Sequence, residues 1–316
     1  MNSSNCCKLC HGANLILGQK VDTDEISQIY QEELEIDLAT IGCLPPEKYI
    51  ALATCLDCGL LQFLPDWIGS SELYEKLQRF SWYYQESKSE FEIAKKFIEP
   101  GFDVIEIGCG NGNFYTHLPE NVRYIGLEFN RQAVTDACAK GIDVQSIPLA
   151  KIAVEQAGEF DVACAFQLLE HVPDPRGFLE DMTRVIRKGG LLMFSVPAED
   201  SFLRYEVNNV TNLPPHHATR WPDTTLGRVA SLLDLEVVSI SHEPLAPGHR
   251  RAYANATIWR ALSKLTPWGH SKVEINALSV LPRLAIVLAG LPIRIWSLWN
   301  CSSLHGHTIT FVARKL

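Results

Sequence analysis

The stretch Asp103–Phe114, DVIEIGCGNGNF, decides the fold. Val104, Ile105 and Ile107 read as a buried parallel strand, because strands covered on both faces are near-continuously apolar. Gly108, Gly110 and Gly112 follow at once, in G-x-G-x-G spacing. Glycines here let the backbone turn tightly and approach a ligand closely. Twenty residues after Gly108, the run RYIGLEFN carries a second apolar strand that ends on Glu128. That is where a carboxylate grips ribose hydroxyls. Loop plus acid therefore predict an α/β doubly wound sheet that binds an adenosine-type cofactor, with NAD as the first competitor.

Composition bounds the rest. The 316 residues suffice for one large domain or two smaller ones, and 47% hydrophobic content supports a full core. A net charge of −9 excludes a general nucleic-acid binder. Ten cysteines and a polar, cysteine-rich start, MNSSNCCKLCHG, suggest a cytoplasmic chain with reduced thiols or metal ligands. Cys7 and Cys10 form one C-x-x-C pair, followed by Gly12; Cys55 and Cys58 form another, followed by Gly59. Two such turns offer four sulfurs, enough for one tetrahedral structural Zn²⁺, with no open position left for chemistry. Cys6 and Cys43 are alternative ligands. YIALATC, before the second pair, reads as a strand. Between Asp66 and Pro100, SELYEKLQRF and SEFEIAKKFI carry apolar residues at helical spacing, and Pro100-Gly101 would end that helix.

Three details separate S-adenosylmethionine from NAD. Glu106 stands inside the strand, two residues before the first glycine. The third glycine follows the second by two residues rather than three. The strands and helices then continue in the order of a methyltransferase. Here the chain resembles the class I S-adenosylmethionine-dependent methyltransferases. VIEIGCGNG matches their first motif and GLEFN their second, while FDVACAFQLLEHVPDPRGFLEDMTRVIRKGGLLMFSVP matches the segment from their fourth core strand to their fifth. With the cysteine pairs, the chain looks like a subgroup with a zinc ribbon before the core, often associated with polysaccharide, sugar or lipid modification. The resemblance covers about 91–240 and, weakly, HTITFVARK at the end. It implies a Rossmann-like seven-stranded sheet. It places Glu106, Gly108, Gly110 and Gly112 around the methionine and ribose of the cofactor, with Cys109 and Phe129 inside the two motifs. Glu128 would take the ribose hydroxyls. Ser146 and Ile147 would flank the adenine, at a place where the family's usual acid is missing. Gln167 and Leu168 would lie beside the methyl donor.

Methyl transfer to oxygen also needs a proton acceptor, and histidine suits that near neutral pH. His171 lies in LLEHV, which resembles the quinone O-methyltransferases. Their E-x-x-E-H pattern holds a divalent ion, but Gln167 replaces the first glutamate here. Glu170 and His171 serve equally well as a network shaping the pocket. His216 and His217 lie in NLPPHHATRW, Asn212–Trp221, a proline-stiffened loop after the strand GLLMFSV. That loop is expected to lid the acceptor pocket, with His217 as first choice for a base and His216 second. Arg220 would pair with a phosphate or carboxylate, and Trp221 would stack on a sugar or ring. The alternative is a structural clasp in which both histidines satisfy carbonyls.

From Pro244 onward the chain carries nine Lys/Arg and one acid, Glu274, a formal +8 that leaves −17 elsewhere. This tail includes Trp259, Trp268, Trp296 and Trp299. Its apolar run 277–299 is interrupted by Arg283 and Arg294, too short to span a bilayer. It would form a cap, a homodimer face or a peripheral contact with the inner surface of a membrane. The expected organisation is a zinc-ribbon-like segment (1–65), a helical connector (66–100), a cofactor-binding core (101–243), a basic helical insertion (244–306) and a last strand (307–316). The expected activity is O-methylation of a sugar, a polysaccharide precursor or a lipid-linked glycan. C-methylation of a nucleotide-linked sugar, a quinone-like O-methylation and a non-catalytic binding module are the alternatives.

Overall fold

The computed structural model describes residues 6–206, 208–263, 273 and 304–316. The N-terminal part runs β1 (Leu15–Asp22), α1 (Thr23–Leu34), β2 (Tyr49–Cys55) and β3 (Leu61–Leu64). Two short helices follow, α2 (Ser71–Leu77) and α3 (Ser89–Ala94). The α/β part then runs β4 (Asp103–Ile107), β5 (Arg123–Leu127), α4 (Arg131–Ala139), β6 (Val144–Gln145), α5 (Leu149–Glu155), β7 (Phe160–Phe166), α6 (Pro175–Val185) and β8 (Ile186–Pro197). It ends with β9 (Thr219–Arg220), α7 (Asp223–Leu232), β10 (Leu235–Pro244), α8 (Arg250–Ser263) and β11 (His305–Lys315).

Among the described residues, seven strands form one sheet in the order β10-β11-β8-β7-β4-β5-β6. The pairs from β8 to β6 are parallel, and β11 is antiparallel to both of its neighbours. The order reverses between β4 and β7, so the crevice beyond their carboxyl ends is where a doubly wound sheet binds ligands. Local chemistry sets the elements around it. Asp174 caps α6 by accepting from the Gly177 amide at 3.0 Å, Pro175 stands at its first turn, and Leu179, Met182 and Val185 bury one face. Asn130 caps α4 through the Ala133 amide. Strand β7 is apolar almost throughout because helices cover both faces.

A second sheet has the order β1-β2-β3-β9. Its fourth strand comes from the far side of the chain: Leu61 pairs with Arg220 and Gln62 with Thr219. The N-terminal segment with its cysteine turns therefore shares a sheet with the later part of the chain. Cys7, Leu9, Cys55 and Leu60 share one core with Phe194, Trp221, Leu226 and Phe311.

The connector differs from the expected continuous helices. α2 stops at Leu77, α3 gives way to a 3-10 turn that ends at Phe97, and the aromatic run between them is not helical. Lys88, before α3, makes no side-chain cap, so nothing local extends that helix backwards. The last strand begins at His305, two residues earlier than expected. Of the basic insertion, a 3-10 turn at Pro247–His249 and α8 are described. The run 277–299, with Trp268, Trp296 and Trp299, lies outside the described residues. No described helix is long and apolar enough to cross a membrane.

Candidate active site

A cavity of about 1320 Å³ opens at the carboxyl ends of β4 and β7. That exceeds the usual range for a single small ligand and leaves room for a cofactor and an acceptor together. One end is the glycine loop. Gly108 and Gly110 have φ of 70° and 54°, which a side chain rarely adopts. A Cβ on Gly108 would meet Leu168 at 2.9 Å, and one on Gly110 would meet the Tyr84 ring at 2.8 Å. The close approach of backbone to ligand that the loop needs is thus built in.

Glu128 sits where the sequence places it. Its Oε2 accepts from the Gly110 amide at 2.9 Å, and its Oε1 accepts from the amides of Phe129 and Asn130 at 2.7 and 2.8 Å. Three backbone donors hold the carboxylate at the cavity wall and leave lone pairs for ribose hydroxyls. Glu106 is buried at the cavity floor, where Tyr124 donates to it at 2.5 Å. Burial pushes its carboxyl up to about 8. A sulfonium beside it would favour the ionised form. These residues fit S-adenosylmethionine. Cys109, Ile147, Gln167 and Leu168 also line the cavity, as does the exposed Phe129. Gln167 turns the chain with φ of 52°, and its amide nitrogens bond to Ser195. Strain of this kind persists where the surroundings impose it.

Two expected cofactor residues are placed elsewhere. Gly112 (φ 75°) does not line the cavity; a Cβ there would meet Ile142 at 2.8 Å, so it serves packing of the loop. The Ser146 hydroxyl donates to the Glu128 carbonyl at 2.8 Å and faces solvent rather than the cavity. Tyr84 and Gln78 were not foreseen. Tyr84 covers the glycine loop and accepts from Gln78, which in turn accepts from Asn130. The signal for Tyr84 was the aromatic run Phe80–Gln85, FSWYYQ; Gln78 lay in the helical stretch SELYEKLQRF and carried none.

The opposite wall carries His171, His216, His217 and Glu170. Each imidazole is held by its Nδ1: His171 on the His216 carbonyl at 2.6 Å, His216 on the Thr211 carbonyl at 2.8 Å, His217 on Asn212 Oδ1 at 3.2 Å. Nε2 of His171 and of His217 each lie 3.9 Å from Glu170 Oε1. Burial lowers His171 to about 4 and His216 to about 3, and drives His217 well below its ordinary value. The same burial raises Glu170 to about 8. The three imidazoles are therefore held neutral.

NLPPHHATRW is buried rather than a lid. Tyr30 of α1 donates to the Leu213 carbonyl at 3.1 Å and accepts from the His216 amide at 3.2 Å. Arg220 and Trp221 do not reach the cavity. Arg220, 4% exposed, donates to the Asn212 carbonyl, lies 3.5 Å from Glu199 and covers the Phe63 ring. Trp221 is fully buried against Phe194 and donates to Thr219. Strand pairing through β9 turns both away from any acceptor. Their expected phosphate and ring contacts are corrected to clamps on the loop.

The cysteine pairs meet as two like turns. His11 and Gly59 amides donate to the Cys7 and Cys55 carbonyls, and the Cys7 and Cys55 amides to the Gly12 and Leu60 carbonyls, all at 2.9 Å. The sulfurs of Cys7 and Cys58, and of Cys10 and Cys55, are 3.5 Å apart, and all four lie within 4.8 Å of one another. The edges of a ZnS₄ tetrahedron are about 3.8 Å, so the four fit a zinc ion. Cys43 faces the Ile68 carbonyl in a different core, and Cys6 is outside the group.

Comparison with known proteins gives three findings. A family model described as a methyltransferase domain matches residues 65–240. The chain is similar to ubiquinone biosynthesis O-methyltransferases from Bordetella avium and Idiomarina loihiensis, 26% and 29% identical over 102 residues, 30% of this chain in each case. It spans 42% of the length of those relatives. Similar solved structures include a SAM-dependent methyltransferase from Archaeoglobus fulgidus, 18% identical with a TM-score of 0.49 over 78% of this chain and 100% of that one. A putative methyltransferase from Bacillus halodurans is 14% identical with a TM-score of 0.48 over 72% and 99%. With a match over more than half its length, the chain belongs to the methyltransferase-domain family, and its glycine loop and Glu128 fit S-adenosylmethionine.

Proposed function

We propose that this methyltransferase acts on a hydroxyl of a sugar, a polysaccharide precursor or a lipid-linked glycan, and that Cys7, Cys10, Cys55 and Cys58 hold a structural zinc ion. The observation that carries the oxygen acceptor is the wall of His171, His216, His217 and Glu170, facing the glycine loop across one cavity. Methyl transfer from a sulfonium needs in-line alignment and exclusion of water above all. An oxygen nucleophile adds a proton to remove, and neutral imidazoles beside a carboxylate supply acceptors for it. Tyr74, Trp82, Tyr83 and Tyr84 offer ring faces on which a sugar can stack. The formal +8 from Pro244 onward suits an acceptor that bears phosphate, at the inner surface of a membrane.

A quinol-type acceptor is the second reading, favoured by the names of the curated relatives and by the same aromatic walls. The deciding experiment supplies labelled S-adenosylmethionine with nucleotide sugars, lipid-linked glycans and catechols, and follows label in each product. Label in a saccharide supports the first reading, and label in catechols alone replaces it with the second. No label in any class, with cofactor binding intact, defeats both.

A further inference from the structure

The histidine wall has more unmet bonding capacity than a proton acceptor requires. Each Nδ1 faces a carbonyl oxygen, which can only accept, so the ring proton of each neutral imidazole is on Nδ1. Each Nε2 then carries a lone pair, and metal-bound histidines are held by their far nitrogen in this way. A ring nitrogen from each of the three lies within 4.8 Å of the others. His216 Nε2 and both oxygens of Glu170 are buried with no hydrogen-bond partner. Groups buried in this state cost stability unless something absent from the protein chain meets them. The other cluster on the cavity differs. Glu243 already accepts from Ser89 and from the amides of His307 and Thr308, so its carboxylate is satisfied by the protein.

From this arrangement we infer that His171, His216 and His217 bind a divalent transition-metal ion of the zinc type, which seats the acceptor hydroxyl beside the methyl donor. Three imidazoles with an open position are the donor set of a reactive zinc site. Magnesium, which takes oxygen ligands, is a poor match. Binding draws the nitrogens in to about 3.4 Å from one another, the spacing around a tetrahedral ion. The acceptor role rests on the oxygen-methylation reading above. The hydroxyl oxygen binds the ion, and its O–H bond breaks with the proton passing to the Glu170 carboxylate, which the neighbouring cation holds ionised. The oxygen forms the new bond to carbon, and the S–CH₃ bond breaks with its electron pair left on sulfur. Gln167, whose side chain is turned to Ser195, takes no part as a ligand.

The test is metal coordination in the full-length protein. X-ray absorption at the zinc edge of the wild type is expected to show a mixed sulfur and nitrogen shell, with two ions per chain. A shell of sulfur alone, with one ion per chain, overturns the inference without touching methyl transfer. His216→Ala with His217→Ala is expected to lose one ion and keep S-adenosylmethionine binding. Asn212→Ala, which frees His217 Nδ1 but removes no ligand, should weaken cobalt(II) at this site about 10–100-fold. Unchanged cobalt affinity in both variants also overturns it. If the ion binds but no hydroxyl compound is methylated, the acceptor reading fails and the metal site stands.

Discussion

Glu128 is the residue on which cofactor binding turns. Its carboxylate joins the glycine loop to the turn after β5 through three amides. Charge-assisted hydrogen bonds contribute about 1.5–3 kcal/mol each. Glu128→Ala should therefore weaken S-adenosylmethionine about 100-fold or more in a calorimetric titration, and unchanged affinity would remove the ribose role. Glu106 makes a different prediction. Its folded pKa is raised to about 8, so its neutral form stabilises the fold at low pH, and that contribution drains away as pH rises from the ordinary carboxylate range through 8. The thermal midpoint of the wild-type apoprotein should fall relative to that of Glu106→Gln over that window. A difference between the two that does not shrink or reverse from pH 5 to 8 would contradict the burial argument. Both residues were legible in the sequence because their signal is local: strand, glycines and acid lie within 26 residues. Gly112 and Ser146 stand off the cavity wall, and neither glycine spacing nor a motif position says which way a residue faces.

At the level of elements, the two-residue strand β9 explains the largest departure from expectation. A proline-rich run with two histidines, an arginine and a tryptophan reads as exposed by composition. Its burial comes from Gln62 pairing with Thr219 and Leu61 with Arg220. A contact between residues more than 150 positions apart leaves no local period to find. The clamp can be tested at Arg220, which faces the buried Glu199 carboxylate. Removing one member of a buried ion pair costs about 3–5 kcal/mol. Arg220→Met should lower unfolding stability by about that much in denaturant titration, with no gain or loss of acceptor specificity. A neutral effect on stability together with lost turnover would restore the direct acceptor role.

The whole molecule behaves as one body because its parts share apolar surface. The cysteine turns contribute Cys7, Leu9, Cys55 and Leu60 to the core that holds Trp221 and Phe311. A strong chelator that removes the zinc proposed at Cys7, Cys10, Cys55 and Cys58 should consequently lower the melting temperature of the entire chain in a single transition. An early, separate transition with the α/β part unaffected would show that the N-terminal part stands alone. The division near residue 65 came from the cysteine pairs and the helical spacing after them, which mark where patterns change but not which surfaces meet.

That pairing bears on inheritance. The family match begins at 65, just past β3, Leu61–Leu64. A recombination event at that boundary would hand its new owner a transferase with β9 bare of its partner and the histidine wall without Tyr30 behind it. The cysteine-bearing segment and the rest of the described chain thus complete each other's packing, so a swap at that boundary would need both sides of the β3–β9 seam to match.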